Sequence, residues 1–196
     1  MRRRTPLPGY GDKSVGAWQD ACWMRQLLLL RHAKSSRDER ALDDRDRKLT
    51  ARGRQAAQLM RGVMAELGLA PDLVLVSTAR RTMETLELLE PWDDTPLVEP
   101  LDRLYLAEPT ELIAGLNGVA ETVRSVLLIG HNPGLHRLAL SLDSTGAAAP
   151  DAFARLREGF PTAALAEFSV AGPWWQLGPG GGRLLRFLRP RDLEAD

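Results

Sequence analysis

Two of the three histidines directly follow short apolar runs that end in polar residues. His32 comes after residues 27–30 together with Arg31, and His131 comes after residues 126–129. A neutral imidazole can act as a nucleophile toward phosphorus. An arginine guanidinium donates hydrogen bonds in a planar fork that matches the oxygens of a phosphoryl group. This combination of residue types indicates phosphoryl transfer, whereas a single histidine would as readily be a surface residue.

Short apolar runs alternate with helical patterns and would position these residues. We predict strands over residues 26–30, 73–76, 97–98, 126–129, 163–170 and 183–188. We predict helices over residues 50–67, 80–89, 110–116, 135–142 and 151–158, with Thr50 and Thr110 as N-caps. In the first helix, the apolar positions at helical spacing are Ala56, Leu59, Met60, Val63, Met64 and Leu67.

This order of elements predicts an α/β three-layer sandwich, in which a mostly parallel sheet has helices on both faces. Sites in such sheets form beyond the carboxyl ends of the strands. His32, the segment 77–81 and His131 all fall at such ends. The polar stretch 37–48 is too long for a simple turn, and we interpret it as a polar connection.

Composition restricts the class of protein. The chain has 196 residues, 44% hydrophobic and 27% charged, which is typical of one soluble domain. Twenty-six basic residues balance 26 acidic ones, so bulk charge does not favour nucleic acid as a partner. Cys22 is the only cysteine, which excludes an internal disulfide. The apolar run 27–30 is too short to span a membrane, and we expect a cytoplasmic protein.

The first 23 residues show neither helical nor strand periodicity. Their basic start lacks the apolar segment of a signal peptide. We expect a disordered extension, or sequence upstream of a start at Met24, followed by one domain over residues 24–192. The alternative is a basic arm that binds an anionic partner.

Five segments occur in the order found in one enzyme family. They are LLLLRHAKS at 27–35, DRKLT with Gly53 at 46–53, STARRT with Thr85 at 77–85, GHNPGL at 130–135 and FPTAA at 160–164. The chain thereby resembles the histidine phosphatase superfamily (branch 1, phosphoglycerate mutase-like), and particularly its SixA-like phosphohistidine phosphatases. The resemblance covers residues 24–190.

The resemblance implies a role for each matching residue. His32 resembles the nucleophile that becomes phosphorylated, Arg31 the adjacent phosphate clamp, and His131 the second histidine of the pocket. Arg81, rather than Arg80, matches the second arginine, because it lies four residues after Ser77 and four before Thr85. Lys34, Ser35 and Asn132 are further candidates for substrate contacts. No metal-ligand cluster or phosphate-binding glycine loop occurs in the sequence, so we expect no metal and no cofactor.

One role in the family has no matching residue. Many relatives carry a carboxylate general acid, and Glu99, Asp102 and Glu108 are candidates that lie in no matching motif. SixA-like relatives are thought to lack that acid, which fits a phosphohistidine substrate, because an imidazole leaving group is readily protonated. We expect a monomer that acts on a phosphorylated protein or a small phosphoryl compound, without nucleic acid or membrane partners. A general phosphomonoesterase and a catalytically silent phosphate-binding protein are the alternatives.

We predict that removal of residues 1–23 leaves both stability and activity unchanged, because the segment contributes no periodic apolar residue and no motif residue. Thermal unfolding of the full chain and of a chain beginning at Met24 checks this. A large fall in Tm on truncation would show that Trp18 or Trp23 is packed against the domain.

Overall fold

The computed structural model describes residues 24–36, 43–92 and 94–193. The predicted extension over residues 1–23 lies outside these ranges, and the single domain over 24–192 stays a prediction. The described strands are β1 (Arg25–Arg31), β2 (Leu73–Ser77), β3 (Leu97–Leu101), β4 (Ser125–Gly130), β5 (Leu165–Val170) and β6 (Gly182–Leu188). They form one sheet in the order β3-β2-β4-β1-β5-β6.

The sheet is mostly parallel. β1 pairs with β4, β4 with β2, and β2 with β3, all in parallel register. β5 pairs antiparallel with β1, and β6 pairs antiparallel with β5. The described helices are α1 (Ala51–Glu66), α2 (Arg80–Glu87), α3 (Pro109–Asn117), α4 (Gly134–Leu142), α5 (Pro150–Glu158) and α6 (Pro190–Leu193). The predicted α/β architecture is therefore confirmed.

Strand β1 is apolar on both faces because helices cover both sides of the sheet. Leu27 and Leu29 pack in one cluster with side chains of α3, α4 and α5. Leu28 and Leu30 pack in the other with side chains of α1 and α2. All four leucines are at most 1% exposed. Burying each contributes roughly 1.5–3 kcal/mol to stability, which fixes the strand that carries the site.

Two local predictions were wrong. The helix predicted at residues 110–116 begins at Pro109, and Glu108 rather than Thr110 is its N-cap. The backbone N–H of Glu108 donates to Glu111 Oε2 at 2.8 Å, and proline suits the first helical position because it lacks an N–H.

The buried face of α1 also differs from the predicted one. Its fully buried positions are Gly53, Ala57, Met60 and Met64. Ala56 and Leu59 are only half-buried, and Leu67 is exposed. The buried stripe is rotated because the start of the helix packs on the backbone of Lys34.

The first turn of α1 lies directly against the chain that follows β1. Thr50 caps the helix by accepting from the Gly53 N–H at 3.0 Å, and its own hydroxyl donates to the Lys34 carbonyl at 3.1 Å. A Cβ atom at Gly53 would lie 2.1 Å from that same carbonyl oxygen. Only glycine allows this approach, which holds the segment next to His32 in place.

We predict opposite effects for two glycine substitutions on α1. Gly53→Ala should lower the free energy of unfolding by about 1–3 kcal/mol, because its methyl group displaces the Lys34 backbone. Gly62→Ala should raise it by about 0.5–1 kcal/mol, because a Cβ there meets nothing within 4 Å and alanine favours helix. Urea denaturation of both variants measures the difference. Equal effects at the two positions would contradict the close packing at Gly53.

Candidate active site

A cavity of about 930 Å³ opens at the carboxyl edge of the sheet. The neighbouring strands β2, β4 and β1 end there, and each is followed by a polar segment. The cavity is lined by all seven predicted site residues: Arg31, His32, Lys34, Ser35, Arg81, His131 and Asn132. The structure therefore brings together residues separated by up to 101 positions in the sequence.

The imidazole of His32 is held in one tautomer. Its Nδ1 lies 2.8 Å from the carbonyl oxygen of Ala33, which can only accept, so Nδ1 carries the proton. Nε2 then carries the lone pair. Burial lowers the pKa of His32 to about 3, and the charges of Arg81 and Arg31 add to this lowering. At neutral pH His32 is therefore an uncharged base with an available nucleophilic nitrogen.

The backbone around His32 is equally well fixed. The His32 N–H donates to Gly130 O at 3.1 Å, which continues the β1–β4 ladder beyond the strand end. The Ala33 N–H donates to Thr85 Oγ1 at 3.0 Å. Because Thr85 lies on α2, the same helix that carries Arg81, one set of contacts positions both His32 and this arginine.

His131 has the opposite tautomer. Its Nδ1 lies 3.3 Å from Arg81 Nη2, which can only donate, so this nitrogen accepts. Its Nε2 carries the proton and donates to Ser77 Oγ at 2.8 Å. Burial is the main cause that lowers the pKa of His131 to about 3, and electrostatic repulsion from His32 and Arg81 lowers it further. The rings of His32 and His131 lie 5.2 Å apart, so both histidines border the same space.

Arg81 is buried, with 2% of its surface exposed. One Nη donates to the carbonyl oxygen of Asp44, and the other donates to Asp44 Oδ2 at 2.9 Å. The guanidinium also lies over the ring of Tyr105, 5.7 Å from its centroid. Arg80 points elsewhere: it is exposed and pairs with Glu84 at 2.8 Å. The geometry places Arg81, not Arg80, in the cavity.

Arg31 and Asn132 converge on the loop before β5. Arg31 Nη1 donates to the carbonyl oxygen of Phe160 at 2.8 Å, and Asn132 Nδ2 donates to the same oxygen at 2.9 Å. This shared acceptor fixes both side chains at the rim of the cavity. On the other side, Ser35 Oγ accepts from Arg47 at 2.9 Å, while Lys34 is exposed to solvent.

Sequence reasoning missed four residues of the site: Asp44, Arg47, Ser77 and Tyr105. Asp44 is the centre of this group, because it accepts from Arg81, Arg47 and Tyr105. The Tyr105 hydroxyl, together with the charges of Arg81 and Arg47, holds the pKa of Asp44 below its usual value. Asp44 and Arg47 lie in the long polar connection, where no periodicity indicates which residue turns inward. Ser77 lies at the polar end of β2, and Tyr105 lies in the stretch before α3. These positions were the features of the sequence that could have indicated the two residues.

None of the three candidate acids lines the cavity. Glu99 lies on the exposed edge strand β3. Asp102 is fully exposed and accepts from Thr78 and Arg45. Glu108 caps α3 and pairs with Arg137 at 3.1 Å on the surface. Among the described residues the carboxylate that does line the cavity is Asp44, and its lowered pKa keeps it ionised.

This arrangement offers a nucleophilic imidazole nitrogen within a ring of donors. Arg31, Arg81 and Arg47 carry positive charge, so the cavity favours a tetrahedral oxyanion. Within the described ranges, no cluster of three or more His, Cys, Asp or Glu side chains could hold a metal ion. No helix in those ranges is long and apolar enough to cross a membrane.

The sequence of the domain matches a known family. Residues 27–104 match the family model of the histidine phosphatase superfamily (branch 1). An uncharacterized protein from Mycobacterium tuberculosis is 36% identical over 162 residues, which span 83% of this chain and 100% of that protein. The candidate phosphohistidine phosphatase SixA from Nakamurella multipartitia is 30% identical, with a TM-score of 0.73 over 85% of this chain and 96% of that one. The chain belongs to the histidine phosphatase superfamily.

Within this superfamily the chain is SixA-like. A protein histidine phosphatase SixA, solved in complex with tungstate, is 25% identical to it, with a TM-score of 0.70. That match covers 86% of this chain and 99% of the other. A histidine phosphatase fold therefore extends across nearly the whole described domain.

We predict that Arg81→Ala lowers kcat about 100- to 1,000-fold, because it removes a buried guanidinium that lines the cavity and would bind a transferring phosphoryl group. Arg80→Ala should change kcat less than about threefold, because Arg80 is exposed outside the cavity and its pair with Glu84 is worth about 0.3–0.5 kcal/mol, while Glu84 keeps its hydrogen bond from the Leu49 N–H. Steady-state kinetics with an aryl phosphate measures both, and Tm verifies that each variant is folded. A larger loss of activity for Arg80→Ala would assign the second arginine to position 80.

Proposed function

We propose that this chain is a metal-independent phosphatase that hydrolyses phosphohistidine through a covalent intermediate on His32. The favoured substrate is a protein that carries phosphohistidine, and the alternative substrate is a small phosphoryl compound. The observation that carries the proposal is the hydrogen bond from His32 Nδ1 to Ala33 O, which leaves Nε2 unprotonated beside two arginines. A relative that forms a complex with tungstate, a tetrahedral oxyanion, supports the same chemistry.

In the first step, the lone pair on His32 Nε2 attacks phosphorus in line with the leaving group. The new bond joins Nε2 to phosphorus, and the bond from phosphorus to the substrate imidazole breaks. The leaving nitrogen keeps the electron pair of the broken bond and takes a proton from water. Arg31 and Arg81 donate to the equatorial oxygens, where negative charge accumulates in the transition state.

In the second step, water attacks the phosphorus held on His32. The bond to Nε2 breaks, its electron pair returns to the nitrogen, and both protons of the water leave with the phosphate as dihydrogen phosphate. The Ala33 carbonyl keeps the Nδ1 proton in place through both steps, so the ring returns to the same tautomer. His32 is thereby ready for a second cycle without a proton shift across the ring.

His131 would join the donors when a phosphoryl group binds. Its Nδ1 faces Arg81, and its Nε2 is already committed to Ser77. A bound dianion raises the pKa of a nearby imidazole, because it stabilises the protonated form. Nδ1 would then gain a proton, lose its hydrogen bond from Arg81 Nη2 and donate to a phosphoryl oxygen, with Ser77 holding the other side of the ring.

We predict that kcat/KM is about 100- to 10,000-fold higher for phosphohistidine than for an alkyl phosphate such as a sugar phosphate. An alkoxide leaving group needs a general acid, whose contribution to the rate is typically about 100- to 10,000-fold. Asp44, the carboxylate that lines the cavity, is ionised and has no proton to donate. An imidazole leaving group needs little help, because it is readily protonated. Rates for a phosphohistidine peptide and a panel of phosphomonoesters decide this.

His32→Ala serves as the control and should abolish turnover of every substrate. Rates with and without a chelator test whether the reaction needs a metal. Comparable rates for an alkyl phosphate would indicate a general phosphomonoesterase instead. A protein that binds phosphate or tungstate but turns over no substrate would be a catalytically silent phosphate-binding protein.

A further inference from the structure

A second cavity of about 420 Å³ adjoins the catalytic one. It lies between the first half of α1 and helix α6, and we call it the docking groove. Its walls are formed by Arg52, Gln55, Ala56, Leu59, Pro190 and Arg191. Lys34, Pro161 and Thr162 line both this groove and the catalytic cavity, so the two spaces are contiguous. A substrate held at His32 can therefore extend into the groove.

The groove is basic. The charged side chains that line it are Lys34, Arg52, Arg189 and Arg191, and no carboxylate lies among its lining residues. Arg189 and Arg191 are balanced by ion pairs with Glu158 and Asp192.

Lys34 and Arg52 differ from those two arginines. Among the described residues neither forms an ion pair within 4 Å, and both side chains are exposed. The basic residues elsewhere on α1 do have acceptors: Arg54 lies 4.0 Å from Glu84, and Arg61 donates to the Glu90 carbonyl. Among the described residues, Lys34 and Arg52 thus place two cations without ion pairs at the end of the groove next to the catalytic cavity.

The groove also has an apolar wall. Ala56 and Leu59 have helical spacing typical of a core face, yet both remain half-buried because the buried stripe of α1 runs through Ala57 and Met60. Pro161 and Pro190 face the same space. A volume of about 420 Å³ lies within the usual range for ligand-binding pockets. The groove therefore combines an apolar wall with two cations, Lys34 and Arg52, that form no ion pair with any residue in the described ranges.

We propose that the docking groove binds an acidic segment of the phosphorylated partner protein, with carboxylates on Arg52 and Lys34 and an apolar side chain against Leu59. The proposal rests on the phosphatase function proposed above and names the kind of substrate that this site selects. Charge complementarity of this kind governs encounter and specificity more than the chemical step. We therefore expect the groove to change KM and leave kcat nearly unchanged.

The test uses three probes. Two synthetic peptides share one phosphohistidine and one flanking leucine, and differ only in their flanks, which carry Asp and Glu in one and Asn and Gln in the other. Free phosphohistidine, which is too small to reach the groove, is the third probe. With the full chain we expect kcat/KM to be about tenfold higher for the acidic peptide than for the neutral one, equivalent to about 1.4 kcal/mol. The preference should weaken as ionic strength rises.

Two glutamines on α1 provide a matched pair of variants. Gln55 lines the groove and Gln58 does not, while both are exposed on the same helix. Gln55→Glu should reduce the acidic preference several-fold, Arg52→Glu should abolish it, and Gln58→Glu should leave it intact. All three variants should hydrolyse free phosphohistidine at the rate of the unmodified chain, which also shows that they are folded.

Three results would overturn the inference: equal rates for the two peptides with the unmodified chain, the same loss for Gln58→Glu as for Gln55→Glu, or a loss for Arg52→Glu with free phosphohistidine as well. The last result would place Arg52 in the phosphoryl site. If no phosphohistidine probe were hydrolysed, the proposed function itself would fail. Binding of peptides that carry a non-hydrolysable phosphonate in place of phosphohistidine would then still test the groove, by comparing the unmodified chain with Arg52→Glu.

Discussion

The hydrogen bond from His32 Nδ1 to Ala33 O is the interaction on which the rest of the site depends. A histidine nucleophile needs one nitrogen free of protons, and a carbonyl acceptor on the other nitrogen fixes which one that is. The position of this carbonyl is set by contacts on both sides, because the Ala33 N–H donates to Thr85 and the backbone of Lys34 packs against Gly53. The start of α1 and the end of β1 thus pack together and determine which nitrogen of His32 carries the proton.

Positive charge near His32 serves two purposes that reinforce each other. Arg81 and Arg31 can bind phosphoryl oxygens, and the same charges oppose protonation of His32. Asp44 offsets part of this charge, because it accepts from two donors of Arg81 while Tyr105 and Arg47 hold the carboxylate. An incoming oxyanion therefore meets an oriented guanidinium whose charge is already partly balanced.

Much of the fold could be predicted because strong apolar runs and helix caps are local signals. The runs in β1, β2 and β4 are buried on both faces, and Thr50 marks the start of α1 in the sequence itself. The strand-end positions of His32 and His131 followed from the order of elements. Asp44 could not be found in this way, because its role depends on how a polar connection folds back onto Arg81, a contact across 37 positions.

The error over Ala56 and Leu59 has a physical cause that bears on function. Helical periodicity reports which residues are apolar, and it does not distinguish a face that packs in the core from one that lines a groove. Here the close approach of Gly53 to Lys34 sets the rotation of α1 and so turns Leu59 toward the cavity wall beside Arg52. Gly53, which packs on the backbone beside His32, therefore lies on the same helix as the side chains that border the docking groove. In the proposed function, the position of the nucleophile and the surface offered to a partner are thus coupled through one helix.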